Sequence, residues 1–227
     1  MTSRSAAHVE DTRRALIAAA RHLFATVGFQ ATLTEDIVRD AGLTRGALYH
    51  HFRDKEDLFH AVYEEVSGEV DQLLIHRSAG PGPDNAWDLF QANSEVHLEA
   101  ATQNADYRQI VLIDGPAVLG WDAWSDRRGG ALAKIAQYLH DAVHEGILEP
   151  LPAEAMAHLL SAIGTGAVMY VAQADDHGRA RQDIEVCTER LLRGLVGPGP
   201  DLPTARWPGS PTPSNSKPRR PTRQGGH

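Results

Sequence analysis

One cysteine in 227 residues, Cys187, leaves no partner for an intrachain disulfide and suits a reducing cytoplasm. Its plainest role is that of a small core residue, with a bridge across a two-fold axis as the alternative. Aromatic residues are scarce, at 6% of the chain. No apolar run approaches the roughly 20 residues of a membrane helix, and the stretch at 15–20 is too short and too amphipathic for an export signal. Strand-like alternation persists nowhere, and no internal repeat is visible. Nucleophile-elbow, phosphate-loop and paired metal motifs are all missing, and Gly164-x-Gly166 falls inside a helical stretch. These absences leave an all-α protein, cytoplasmic, with no cofactor, no membrane partner and no catalytic set.

What is present begins with an apolar stripe. Leu16, Ala20, Leu23, Phe24 and Val27 recur at spacings of three and four, as one face of a helix does. Gly28 stands where a left-handed C-cap ends that helix, with Phe29 closing it. Thr32 and Glu35 have the spacing of a capping box, which predicts a second helix from about residue 33. Ile37, Val38 and Ala41 supply its buried face and Gly42 its end. Thr44 caps a short third helix, Arg45 to about Phe52. Asp54 caps a fourth that keeps its period through Leu58, Phe59, Val62, Tyr63 and Val66. Two short helices joined by a tight turn, with a cationic and aromatic face on the second, form a helix-turn-helix.

The exposed side chains suit DNA. Arg45 opens the third helix, within reach of a guanine edge or a phosphate, and Gly46 lets the backbone approach the groove. Tyr49 and His50 follow one turn later. Thr34 lies in the first turn of the second helix, where free amides and the helix dipole favour a phosphate. Lys55 serves the other flank. Leu48 and Phe52 read as core.

Residues 13–66 resemble the DNA-binding domain of TetR-type transcriptional regulators. The likeness rests on Phe24-Ala25-x-x-Gly28-Phe29, Thr34-x-x-Ile37, the run from Ala41 to Phe52, and Asp54-Lys55-Glu56-Asp57-Leu58. It implies that Thr34, Tyr49 and Lys55 hold phosphates while Arg45, Gly46 and His50 face bases. It also implies an all-helical homodimer whose C-terminal domain binds a small molecule and thereby weakens DNA binding.

Charge is distributed to match. The net is −8, yet residues 1–56 carry 8 Lys/Arg against 7 Asp/Glu, residues 57–197 carry 9 against 22, and residues 198–227 carry 5 against 1. An acidic body repels DNA while the reader engages it, which discourages misoriented binding. The expected domains are a helix-turn-helix reader at 1–56, a helical effector-binding and dimerisation domain at 57–196, and a disordered Pro/Gly/Arg tail at 197–227. Lys217, Arg219, Arg220 and Arg223 give that tail its positive charge; it reads as a passive solvated segment, with a weak DNA contact as the alternative.

Helices are expected from 54 to about 75, 84 to 102, 105 to 113 with a break at Asp114-Gly115-Pro116, Trp121 to Gly146, 153 to 174 and 180 to 195. Trp87, Phe90, Tyr107, Trp121 and Trp124 fall among the central ones. With His97 and Asp114 as polar neighbours, they are the candidate lining of an apolar effector pocket. His140, His144 and Glu145 have a metal-sensor spacing, but exposed histidines on an acidic helix are the commoner case. Leu159, Leu160, Ile163, Val171, Leu191 and Leu195 exceed what one small core needs, and Gly164 permits close approach, so a homodimer is expected to pair these two helices. The expected partners are a palindromic duplex operator, a second copy and a small apolar effector that releases a repressor. A regulator controlled by a protein partner, or by nothing, is the alternative.

Overall fold

Each helix of the N-terminal module ends or begins on a residue suited to that job. The computed structural model describes residues 2–79, 83–127 and 129–196. Helix α1 (Thr2–Val27) buries Leu16, Ile17, Ala20 and Phe24. It starts well before the apolar stripe, and residues 7–11 ahead of that stripe are exposed. Gly28 terminates it at φ +83°, a conformation that a side chain would strain. Helix α2 (Thr34–Asp40) buries Ile37 and Val38, and the Leu43 amide closes its end on Val38 O at 2.8 Å. Helix α3 (Arg45–His51) has Thr44 as its cap, accepting from Ala47 N at 3.2 Å. Helix α4 (Lys55–Ala79) starts on Asp54, which accepts from Asp57 N at 2.7 Å. The rings of Phe24, Phe29 and Phe59 meet at 5.1–5.5 Å between centroids and pin α1 to α4.

The expected capping box is not formed. Thr32 is buried and donates its hydroxyl to Gly28 O at 2.8 Å, while the N-cap of α2 is Leu33, with no side-chain cap. Glu35 turns instead to Arg45. Burial of Thr32 against the end of α1 leaves its oxygen facing the wrong backbone.

Beyond α4 come α5 (Ala86–Gln103), a π-helical segment (Tyr107–Asp114), α6 (Gly115–Leu119), α7 (Trp121–Arg127), α8 (Gly129–His144), α9 (Ala153–Gln173) and α10 (His177–Val196). No strand occurs among the described residues. The expected break at Asp114-Gly115-Pro116 is absent. Gly115 keeps helical angles, φ −50° and ψ −54°, and Pro116 sits in the first turn of α6, where its missing N–H matters least. The single helix expected from Trp121 to Gly146 is represented by α7 and α8, on either side of residue 128, which is outside the described residues. The expected tail lies outside them too.

Two cores result. One joins α1–α4 to α5, the π segment and α9 through Tyr63, Val66, Ile110, Leu112 and Trp124; the other joins α5, α8 and α9 through Trp87, Phe90, Leu139 and Leu160. Residues 1–197 form one unit, and the 56/57 boundary falls in the first turn of α4.

Gly115 is where close packing is most exposed to a test. A Cβ there would lie 3.0 Å from Trp124 Cδ1 and 3.2 Å from Tyr63 Cε2, both buried rings. Gly115→Ala is expected to cost about 1–3 kcal/mol, read as a lower denaturant midpoint at unchanged slope.

Candidate nucleic-acid interface and effector cavity

Buried Leu48 fixes the rotation of α3, which leaves Thr44, Arg45, Gly46, Tyr49 and His50 exposed. Positions 45, 46, 49 and 50 share a helical face, the arrangement a major-groove reader needs. His51 is half-buried, edge-on to His50 with centroids 5.3 Å apart. Arg45 pairs with Glu35 at 2.7 Å and stacks over Tyr49 at 5.6 Å. Tyr49 and then Glu35 raise the guanidinium pKa. The Glu35 carboxyl is held below its usual range by its own amide, the Thr34 hydroxyl and Arg45. The Arg45 guanidinium is therefore occupied by its neighbours, and contact with a base or a phosphate would require it to give up Glu35.

Lys55 is engaged differently from the simple phosphate contact expected of it. Its ammonium donates to Phe29 O at 2.8 Å and Thr32 O at 2.9 Å, and lies 4.1 Å over the Phe29 ring. Two of its three protons thus tie down the turn that leads into α2. Nothing in local spacing signals this, because the partners are 23 and 26 residues away. Lys55→Met is expected to weaken binding to all duplexes alike and to lower stability by about 1.5–3 kcal/mol, the range for hydrogen bonds to a charged donor. Paired thermal melts and anisotropy titrations over salt check this. A change in salt slope without loss of stability would assign Lys55 to a phosphate alone.

The Phe29 amide has a second restraint. It donates to Asp114 Oδ2 at 2.8 Å, and Gln109 Nε2 donates to the same oxygen at 3.2 Å. Asp114 is the last residue of the π segment, so the body of the protein grips the end of α1 directly. A second bridge lies beside it. Arg21 on α1 binds Asp106 at 2.7 Å, Glu69 at 2.5 Å and Glu65 at 3.2 Å, and these carboxylates, Glu69 first, raise its pKa against the effect of burial.

Between α5, α8, α9 and α10 lies an apolar cavity of about 170 Å³. Of the six ring residues expected to line it, Phe90 and His97 do so. Trp87 stacks behind Phe90 at 5.4 Å, and the Tyr107 hydroxyl lies 3.4 Å behind His97 Nδ1. Trp124 is core, its indole N–H donating to Val111 O at 2.8 Å, and Trp121 is an exposed ring beside it. Residues not anticipated in the lining include Asn93, Lys134, Ile135 and Tyr138, with Asn93 Nδ2 donating to the Tyr138 hydroxyl at 3.0 Å. For Lys134, Ile135 and Tyr138 the signal was available as a shared face of α8, at spacings of one, three and four. His140 faces Glu154 at 3.8 Å and Glu145 caps α5 at Ala86 N, and no metal-binding group of three side chains occurs among the described residues.

Residues 16–62 match the model for bacterial regulatory proteins of the tetR family, and 87–195 match the tetracyclin repressor-like C-terminal domain. The fold superposes on a TetR-family transcriptional regulator from Pectobacterium atrosepticum at TM-score 0.70 and 31% identity, covering 85% of this chain and 97% of that one. The chain belongs to the TetR family of transcriptional regulators. Among curated relatives, the regulator AcrR of Shigella flexneri is 34% identical over 115 residues, 49% of this chain and 51% of that protein. This chain spans about half the length of the first curated relatives it matches. A gamma-butyrolactone receptor structure is 25% identical at TM-score 0.59, covering 83% of this chain and 90% of that one.

On this TetR-family chain, α9 and α10 carry an outward apolar face. Leu159, Ile163 and Leu191 are exposed, as is Gly164, whose Cβ position meets nothing within 4 Å. Tyr170, at helical spacing from Leu159 and Ile163, extends that face beyond the expected set, and Val186 and Val196 on α10 are exposed as well. Leu160 and Val171 instead belong to the core, and Leu195 packs partly against it. Helix α9 also corrects the reading that no segment has membrane-spanning length. It has 21 residues, and an 18-residue window of it has mean hydropathy 1.5, enough by length and composition to cross a membrane. His158, Ser161 and Thr165 interrupt the apolar run without adding charge. Leu160, Val168 and Val171 are buried while Leu159, Ile163 and Tyr170 are exposed, so apolar side chains occupy both sides of the helix.

Proposed function

We propose that this TetR-family regulator is a ligand-responsive repressor that binds an inverted-repeat operator as a homodimer in the cytoplasm. Arg45, Gly46 and His50 read bases, Thr34 and Tyr49 hold phosphates, and Thr44 sets the start of α3. A second copy packs on α9 and α10 through Leu159, Ile163, Gly164 and Leu191. The effector is a small, mostly apolar molecule in the cavity of Phe90, His97 and Tyr138.

The observation that carries this reading is a continuous physical connection. His97 lines the cavity and lies against Tyr107, the first residue of the π segment; Asp114, its last, holds the Phe29 amide beside the helix-turn-helix. π-helical turns recur at functional sites because their hydrogen-bond register is shifted and easily changed. A ligand that displaces His97 moves the π segment, and with it the grip on the end of α1. A 100-fold loss of operator affinity requires about 2.7 kcal/mol of preference for the released state. The relatives' names point to regulators rather than enzymes, and one neighbour is described as a gamma-butyrolactone receptor.

Operator retention measured while candidate lipophiles are titrated, with tryptophan emission read in parallel, tests the reading. Trp87 behind Phe90 reports occupancy. A compound that changes this emission and leaves operator affinity untouched contradicts the coupling.

A further inference from the structure

The chain has three lysines, Lys55, Lys134 and Lys217, so Lys134 is the only one in the body of the protein. Residues 57–197 hold 22 carboxylates against 9 cationic side chains. Yet among the described residues the lining of the cavity includes Lys134 and not one Asp or Glu. Lys134 stands on α8 one residue before Ile135 and four before Tyr138, at the exposed edge of the lining. It makes no ion pair within 4.0 Å among the described residues.

Its electrostatic neighbour is Asp71 on α4, one turn before Leu74, which also lines the cavity. Burial raises the Asp71 pKa and Lys134 opposes that shift. The remaining polar lining is neutral or a histidine: Asn93 donates to Tyr138, Ser94 donates to Phe90 O at 2.9 Å, and His97 meets Tyr107. The wider acidity of the body is screened over about 8 Å at physiological salt, so the groups at the edge dominate the local field. An ammonium beside an apolar cavity that lacks carboxylates favours an anion and disfavours a cation. The volume sets the size: an apolar cavity of roughly 150 Å³ accepts benzene, and this one is about 170 Å³.

We propose that the cavity binds a small amphipathic carboxylate, a single-ring or short-chain acid whose apolar body lies among Phe90, Leu98, Ile135 and Leu160 and whose carboxylate meets Lys134. This rests on the effector cavity described under Proposed function and specifies the chemistry it selects. A carboxylate at Lys134 competes with Asp71 for the same ammonium, so Asp71 is the residue that limits affinity.

The test uses the full-length protein and three probes with one tail and different heads: octanoate, 1-octanol and octylammonium, titrated by calorimetry at neutral pH. Octanoate is expected to bind about tenfold more tightly than octylammonium, with 1-octanol between them. In Lys134→Met that ratio falls to within about twofold, in Lys134→Glu it inverts, and Asp71→Asn tightens octanoate several-fold. Equal binding of the three heads overturns the carboxylate assignment and leaves the cavity reading standing. A preference for octanoate that survives Lys134→Met overturns the role of Lys134. Binding of none of the probes overturns both the assignment and the cavity reading. Operator titrations with the same probes separate occupancy from release: octanoate that binds with the stated preference but leaves DNA affinity unchanged contradicts the proposed repressor mechanism alone.

Discussion

Leu159→Glu combined with Leu191→Glu is expected to leave the protein monomeric and to lower operator affinity by about 100-fold or more. Both leucines are over half exposed in the single chain, at 58% and 56%, so the fold does not depend on them. In a two-fold interface each change enters twice, which places four carboxylates in an apolar contact. An uncompensated buried charge costs several kcal/mol, more than such an interface tolerates. A monomer then binds one half-site and loses the effective-concentration advantage of the second, about 10²–10⁴-fold. Sedimentation equilibrium at micromolar protein is expected to give the 24.7 kDa chain mass for the variant and about twice that for the wild type. Thermal melting monitored by circular dichroism confirms that the variant is folded. A dimeric variant, or a monomer with full operator affinity, contradicts the proposed assembly.

Asp114→Ala is expected to uncouple the reader from the cavity. The carboxylate oxygen accepts from Phe29 N and from Gln109 Nε2, and lines neither the cavity nor the DNA face. Its loss strands a partly buried amide at a cost of about 1–3 kcal/mol in stability. The informative readout is the ratio of operator affinities with and without saturating ligand. That ratio is expected to fall from about 100-fold to about threefold, while ligand affinity in the absence of DNA changes little. Asp114→Asn keeps an acceptor oxygen and is expected to retain most of the response. A full response in Asp114→Ala assigns the coupling to another route, the Arg21 bridge to Asp106 and Glu69 being the next candidate.

The N-terminal module was legible because its determinants are local. Gly28 and Gly42 end helices, Thr44 and Asp54 start them, and Leu48 at helical spacing fixes which face of α3 is free. Features outside the reach of local spacing arose where a residue answers to a distant partner. Thr32 has the spacing of a cap, yet its burial sends the hydroxyl back to Gly28. Lys55 is a surface cation by sequence and a clamp on two carbonyls in the fold. The π segment was hidden because a shifted hydrogen-bond register leaves no periodic mark over 8 residues.

The cavity was half legible for the same reason. Aromatic spacing locates Phe90 and Trp87 on adjoining parts of one helix but does not say which of them borders empty space. That depends on α8, whose Tyr138 and Lys134 complete the wall. Trp124 illustrates the converse. A large ring among the central helices reads as pocket lining, whereas Gly115 makes room for the indole, whose N–H donates to Val111 O in the π segment. The outward face of α9 mixed with its core face in the sequence, since both are apolar.

Selection of bound duplexes from a random library, at physiological salt and without ligand, tests the central claim most directly. Recognition by α3 in a two-fold dimer predicts enrichment of an inverted repeat whose half-site centres are about 34–36 Å apart or somewhat more. Repeating the selection with His50→Ala is expected to relax one position in each half-site and leave the spacing intact, with a loss of about 1–3 kcal/mol on the parent sequence. Enrichment of sequences without two-fold symmetry, or an enriched repeat unchanged at every position by loss of His50, would contradict the account.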